Sequence, residues 1–325
     1  MLVAVAIPLT AQPSESERRV FAATQARAEK GEASAQNDLG ICYAEGKGVA
    51  KDTAEAVKWY RKAAEQGLAE AQNNLGICYR SGRGVAQDTA EAAKWFRKAA
   101  EQNFAEAQVN LGASYIGGQG VATNYVEAVK WFRKATEQSL PEGEVNLGLC
   151  YAEGKGVAKD AAEAVKWYRK AVERGFAGAQ HALGLCYENG QGVAKDAAEA
   201  VKWYRKAAEQ NLAGAQNDLG ICYATGSGVA TNWVEAVRWF RKAAEQNLAD
   251  GQNSLGFCYV DGQGVAPDLV EGYKWWRLAA AQGDADARRY ASTLEGRMTP
   301  AQITDGKKRA DDWLRQYQQA ATGDR

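Results

Sequence analysis

Six cysteines, a single histidine and a recurring Asp-x-x-Glu are the residues of this 325-residue chain with the most obvious chemistry. Cys42, Cys78, Cys150, Cys186, Cys222 and Cys258 could serve as nucleophiles, metal ligands or disulfide partners. A thiol nucleophile needs a neighbouring base, and a zinc site needs clustered His, Cys or carboxylate ligands. His181 lies five residues from Cys186, a spacing that turns the two to different sides of a helix, and the chain has no Cys-x-x-Cys. Asp52 and Glu55 are paired carboxylates, but a pair at that spacing before an apolar run reads as a helix capping box. Gly46-x-Gly48 ahead of a helix has the look of a phosphate loop. It lacks the Walker signature, and Asp52 already places negative charge at that helix start. No catalytic residue, no metal and no cofactor is expected, and the chain does not read as an enzyme.

These residues recur because the chain is an array. Close copies of one text begin at Ala33, Ala69, Ala105, Pro141, Ala177, Ala213 and Ala249, a step of 36 residues each time. A fixed period of this size is the mark of a solenoid. The cysteines are one position of the repeat seen six times, with Ser114 in the third copy. Equivalent positions on stacked helices lie about 8–10 Å apart, and a disulfide needs Cα atoms within about 7 Å. The cysteines therefore read as free, small and buried.

Each copy contains two helices. In the first, Ala33 to Ala44 forms helix A, with Gln36, Leu39, Gly40 and Tyr43 on one face. A glycine costs a helix about 1 kcal/mol, so Gly40 and its copies imply close approach of a second helix. Gly46 ends helix A, and Val49 tucks inward after the turn. Asp52/Glu55 then starts helix B, and recurs as Asp88/Glu91, Asn124/Glu127, Asp160/Glu163, Asp196/Glu199, Asn232/Glu235 and Asp268/Glu271. Ala56, Trp59, Tyr60, Ala63 and Ala64 form its buried stripe, while Lys58, Arg61, Lys62 and Glu65 face water. Gly67 and its equivalents Asn103, Ser139, Gly175, Asn211, Asn247 and Gly283 end helix B in a left-handed cap.

The string Ala-x-Ala-Gln-x-x-Leu-Gly-x-x-Tyr, then Gly-x-Gly-Val, then Glu-Ala-x-Lys-Trp-Tyr/Phe-Arg-Lys-Ala-Ala, resembles the Sel-one-like repeat (SLR) family, which is related to tetratricopeptide repeats. The resemblance implies an all-α fold: an α/α solenoid winding as a right-handed superhelix, with helix A lining its concave side. It also implies adaptor or scaffold work, and it brings no catalytic residue. The expected organisation is residues 33–284 as seven repeats (33–68, 69–104, 105–140, 141–176, 177–212, 213–248 and 249–284), flanked by two caps. Residues 14–32 form an N-terminal capping helix with Val20, Phe21, Thr24 and Ala28 as its stripe. Residues 285–325 form a partial repeat and a last helix led by Thr299-Pro300, striped by Ile303, Ala310, Trp313, Leu314 and Tyr317, and weakened by Gly306. Residues 1–13 read either as a loose start or as the end of a signal peptide without its basic region. The first reading places the protein in the cytoplasm and the second makes it exported. No apolar run approaches the roughly 18 residues of a membrane span.

Partners are read from surfaces. Lys plus Arg and Asp plus Glu each number 40, so the net charge is zero, which speaks against a nucleic-acid backbone as partner. The helix B rows of Lys58, Arg61 and Lys62 are the alternative site for nucleic acid, but Glu55 and Glu65 flank them and Arg61 can pair with Glu65. The Trp and Tyr series reads as core rather than as a base-stacking platform. The copies differ most along one stripe of helix A: Asn37, Ile41 and Ala44; Asn73, Ile77 and Arg80; Val109, Ala113 and Ile116; Val145, Leu149 and Ala152; His181, Leu185 and Glu188; Asn217, Ile221 and Ala224; Asn253, Phe257 and Val260. Its outer members vary as exposed residues can. Its middle member is always apolar, as expected either of a groove floor for a protein or extended peptide, or of packing between neighbouring A helices.

Overall fold

The computed structural model describes residues 13–322. The reading of residues 1–13 as a leader or a loose start falls almost wholly outside them. Among the described residues every regular element is an α-helix. The helices group into two compact units, one running to Asp160 and one starting at Ala161.

The first unit holds α1 (Glu15–Glu29), α2 (Ala33–Glu45), α3 (Thr53–Glu65), α4 (Ala69–Ser81), α5 (Thr89–Glu101), α6 (Ala105–Gly117), α7 (Tyr125–Glu137) and α8 (Pro141–Glu153). Each helix packs on the next, which is solenoid order. Glycine at the A–B contact allows this closeness. A Cβ on Gly76 would lie 2.6 Å from the Phe96 ring, as would one on Gly40 from Tyr60, and one on Gly112 would lie 2.5 Å from Phe132. The second loop glycine does a different job. Gly84 has a positive φ, and a Cβ there would lie 2.0 Å from the Thr53 carbonyl, so this turn sits on the first turn of the preceding helix B. Gln72 is buried and donates to the Ala64 carbonyl, while Gln102 donates to Gln72 from the following helix B at 2.8 Å.

Helix B starts differently from the expected capping box. Asp52 accepts from the Glu55 amide, but its own amide donates to the Tyr43 carbonyl, and the Glu55 carboxylate turns outward to Lys58. One arm of the box is thus taken by the preceding helix A. A reciprocal box does form at Ser14/Glu17, ahead of α1. The helix B ends are as expected, with Asn103 and Ser139 at positive φ. Helix α1 occupies a helix B position against α2 through Phe21 and Ala28. Val20, expected in its stripe, is exposed, whereas its counterpart in the first repeat, Ala56, is buried against Gly40 of helix A.

The second unit holds α9 (Ala161–Glu173), α10 (Ala177–Asn189), α11 (Ala197–Glu209), α12 (Ala213–Thr225), α13 (Trp233–Glu245), α14 (Ala249–Asp261), α15 (Leu269–Ala281), α16 (Ala285–Glu295) and α17 (Pro300–Thr322). Its repeats pack as in the first unit, with Gly184 on Tyr204, Gly220 on Phe240 and Gly256 on Trp276. Helix α17 begins with a Thr299/Gln302 box and lies along α15. Gly306 does not weaken this helix to no purpose. It is buried, and a Cβ there would lie 2.6 Å from the Tyr273 ring, so the glycine lets α17 approach. Trp313 meets Trp275 edge-on and stacks on Tyr317, and Arg309 bridges Asp305 and Glu271 at 2.8 Å each.

Candidate functional site

The stripe of variable residues on helix A divides into three kinds of position. Its first members are not exposed. Asn37 and Asn73 are buried and accept from Asn74 at 3.0 Å and Asn110 at 2.9 Å, each on the next helix A. Buried amides need partners, and here the partners are Asn74 and Asn110 of the following A helices, so these pairs set the spacing of adjacent A helices. Val109 and Val145 are half-buried at the same position.

The middle members change along the first unit. Ile41 and Ile77 pack partly against the core. Ala113 and Leu149 stand open to solvent. Leu147 on α8 is 0% exposed and Leu149, two residues on, is 41% exposed. The third members here are Ala44, Arg80, Ile116 and Ala152, all half-buried. Arg80 donates from Nη1 to the Asn110 side chain at 2.8 Å, and its guanidinium lies 5.2 Å from the centre of the Phe96 ring. Burial pulls its pKa below the usual arginine range, with no carboxylate opposing the shift.

In the second unit the open row is continuous over three repeats: Leu185, Ile221 and Phe257 are 37%, 40% and 45% exposed. A cavity of about 260 Å³ opens beside the last two, lined by Ile221, Ala224, Trp233, Phe240, Phe257 and Tyr290 among others. Trp233 and Tyr290 come from α13 and α16, and a reading confined to helix A does not reach them. Asn217 is buried and accepts from Ser254, while Asn253 is half-buried. His181 takes the ladder position one repeat earlier and meets Asp218 at 2.7 Å. Glu188 accepts from the Tyr204 hydroxyl at 2.7 Å, and burial and that carboxylate together raise the tyrosine pKa.

Helix B presents a different surface. Lys58, Lys94, Lys130, Lys166 and Lys202 each pair with the glutamate three residues earlier. Lys62 lies 3.8 Å from the centre of the Trp59 ring, and Lys98 and Lys170 repeat this at 4.0 Å on Trp95 and Trp167. Arg61 does not pair with Glu65 as expected. It donates to the Tyr79 hydroxyl of the next repeat at 2.6 Å, as Arg97 does to Tyr115 and Arg205 to Tyr223. The tyrosine lies nearer in the fold than the i,i+4 carboxylate. A larger hollow of about 590 Å³ lies on this side in the first unit, but its walls are these engaged side chains, Glu91, Lys94, Trp95 and Lys98 among them.

The Sel1 repeat family model matches seven windows, 33–68, 69–104, 105–140, 141–176, 177–212, 213–248 and 249–284. The chain belongs to the Sel1 repeat family. Solved structures similar to it include two of Sel1 type. One is c5321, described as a protective antigen present in uropathogenic Escherichia coli strains displaying an SLR fold. It is 36% identical with a TM-score of 0.65, over 94% of this chain and 64% of that one. This chain therefore spans less than two thirds of that protein. The other is a Sel1 repeat protein from Oxalobacter formigenes, 36% identical with a TM-score of 0.67, over 70% of this chain and 92% of that one. No curated protein matches this chain. Sel1 repeat proteins are generally scaffolds for protein–protein interaction, and the fold is typically non-enzymatic.

The Sel1 cysteines are all free. Four are buried, and Cys42 and Cys78 are half-buried. Burial pushes Cys150 and Cys186 up to about 11 and Cys222 and Cys258 up to about 12, which suppresses the reactive thiolate. Among the described residues no group of three or more His, Cys, Asp or Glu is placed to hold a metal, and no helix is long and apolar enough to cross a membrane.

Proposed function

We propose that this Sel1 repeat protein is a non-enzymatic scaffold that seats a protein or an extended peptide on the open row of its A helices. The observation that carries the reading is the pair of environments within single helices. Leu147 and Leu149, like Leu183 and Leu185, are the same residue type two positions apart, one closed in the core and one in water. An apolar side chain held in water at the same place in successive repeats, beside an apolar cavity, has the character of a docking floor. In the first unit the proposed floor is Ile41, Ile77, Ala113 and Leu149, with Arg80, Val109, Ile116 and Val145 at its edges. In the second it is Leu185, Ile221 and Phe257, with His181, Glu188 and Asn253 beside them. The buried Asn37, Asn73 and Asn217 hold these rows at their spacing. Engagement of the helix B cations within the chain supports helix A over the nucleic-acid alternative.

The test is affinity capture with the intact chain, quantified for partners that bind saturably. Leu185→Glu with Ile221→Glu should cut capture at least about tenfold with the circular dichroism spectrum unchanged. Unchanged capture by that variant would reject the helix A face.

A further inference from the structure

Arg80 is the only Lys or Arg in the seven A helices of the repeats, whose sequences otherwise carry acidic or neutral polar groups. Its surroundings are unlike those of the helix B cations. Each Lys58-type residue has a carboxylate, and the Arg61-type residues of the first six repeats have a tyrosine hydroxyl. Arg80 has one neutral amide acceptor, Asn110, at Nη1, and one ring face against Phe96. Its Nε and Nη2 donors have no acceptor among the described residues. The group is half-buried, and burial depresses its pKa. A partly desolvated cation without a counter-charge gains from a partner that supplies one.

We propose that the first unit recognises a partner segment in which an Asp or Glu carboxylate lies next to an apolar residue, with the carboxylate on Arg80. This rests on the helix A docking surface proposed above and names its chemistry. Three features of the site select a carboxylate. The remaining Nε/Nη2 edge of the guanidinium is the fork that a planar carboxylate matches with two parallel hydrogen bonds. Phe96 and Asn110 hold the guanidinium plane, so little freedom is lost on binding. No second Lys or Arg occurs on an A helix of the repeats, and Arg83 belongs to the turn after α4, so the helix A surface itself offers one guanidinium to one carboxylate. Ala113, one turn beyond Asn110, stands open and offers the adjacent apolar contact.

The experiment is selection of a displayed random twelve-residue peptide library on the full chain, run in parallel on Arg80→Gln and Arg80→Lys. Melting curves of all three proteins confirm equal folding. The wild type should enrich peptides with Asp or Glu beside an apolar residue. Arg80→Gln should lower the affinity of a selected peptide by about tenfold or more, the loss expected of a two-bond ionic contact. Arg80→Lys, which keeps the charge and loses the fork, should fall between them. Replacing the peptide's carboxylate by its amide should weaken wild type and leave Arg80→Gln unchanged. Peptides selected without acidic bias, or an acidic bias that survives in Arg80→Gln, overturn the proposal and leave the scaffold reading standing. Failure to select any peptide counts against both.

Discussion

Helix A and helix B carry similar numbers of polar residues, yet they use them differently. On helix B each Lys and Arg of the repeat has a partner within the chain, whether Glu55 for Lys58, the Trp59 face for Lys62 or Tyr79 for Arg61. On helix A the buried asparagines form ladders between neighbours, and the open row beside them carries apolar side chains and, at Arg80, an incompletely partnered cation. A surface whose groups are already satisfied is a stable exterior. A surface that keeps Leu149, Leu185, Ile221 and Phe257 in water has something left to bury.

The sharpest way to break this comparison is to truncate the two leucines of one helix. Leu147→Ala should destabilise the first unit by about 2–5 kcal/mol, and Leu149→Ala by less than about 0.5 kcal/mol. Urea unfolding measures both, and equal losses would show that Leu149 is core. Next in size is the ladder. Asn110→Ala removes the donor to buried Asn73 and the acceptor of Arg80, and should cost about 1–3 kcal/mol in the same assay.

The repeat length, both helices of each copy, the glycine contacts and the left-handed helix B ends are all legible in the sequence, because each follows from a local residue preference repeated at one spacing. What is not legible depends on the neighbouring repeat. Glu55 loses its reciprocal cap because the Asp52 amide finds the Tyr43 carbonyl, and Arg61 leaves Glu65 for Tyr79. Asn37 and Asn73 vary to Val and His along the array, which suggests exposure, yet they are buried in pairs that tolerate several chemistries. The division of the middle row into half-buried Ile41 and Ile77 and open Ala113 and Leu149 follows from packing that no single repeat encodes.

The thiols offer a smaller effect on the closed side. Their folded pKa values are raised above the ordinary thiol value of about 8.5, so the folded chain holds protons that the unfolded chain releases. Their contribution is complete below that value and is lost as pH rises toward 11 and 12. Cys222→Ser with Cys258→Ser copies the natural Ser114, which bonds the Asn110 carbonyl at 2.8 Å, and should flatten the fall in urea midpoint above pH 9. The change in slope should approach about 1.4 kcal/mol per pH unit for each thiol removed. An unchanged slope would mean that these thiols titrate as in the unfolded chain. Smallest of all, Lys98→Ala removes a cation 4.0 Å from the centre of the Trp95 ring and should cost about 0.5–1 kcal/mol. A larger loss would mean that helix B charges are structural rather than merely satisfied.

The most direct test sets one face against the other in the first unit. Binding of a selected peptide or captured partner is measured by calorimetry for Ala113→Glu with Leu149→Glu and for Lys94→Glu with Lys130→Glu, all proteins having matched helical spectra. The helix A pair should abolish measurable binding, and the helix B pair should change affinity by less than about threefold. Loss of binding in the helix B pair with retention in the helix A pair would contradict the account, placing the interaction on the face whose charges are already engaged.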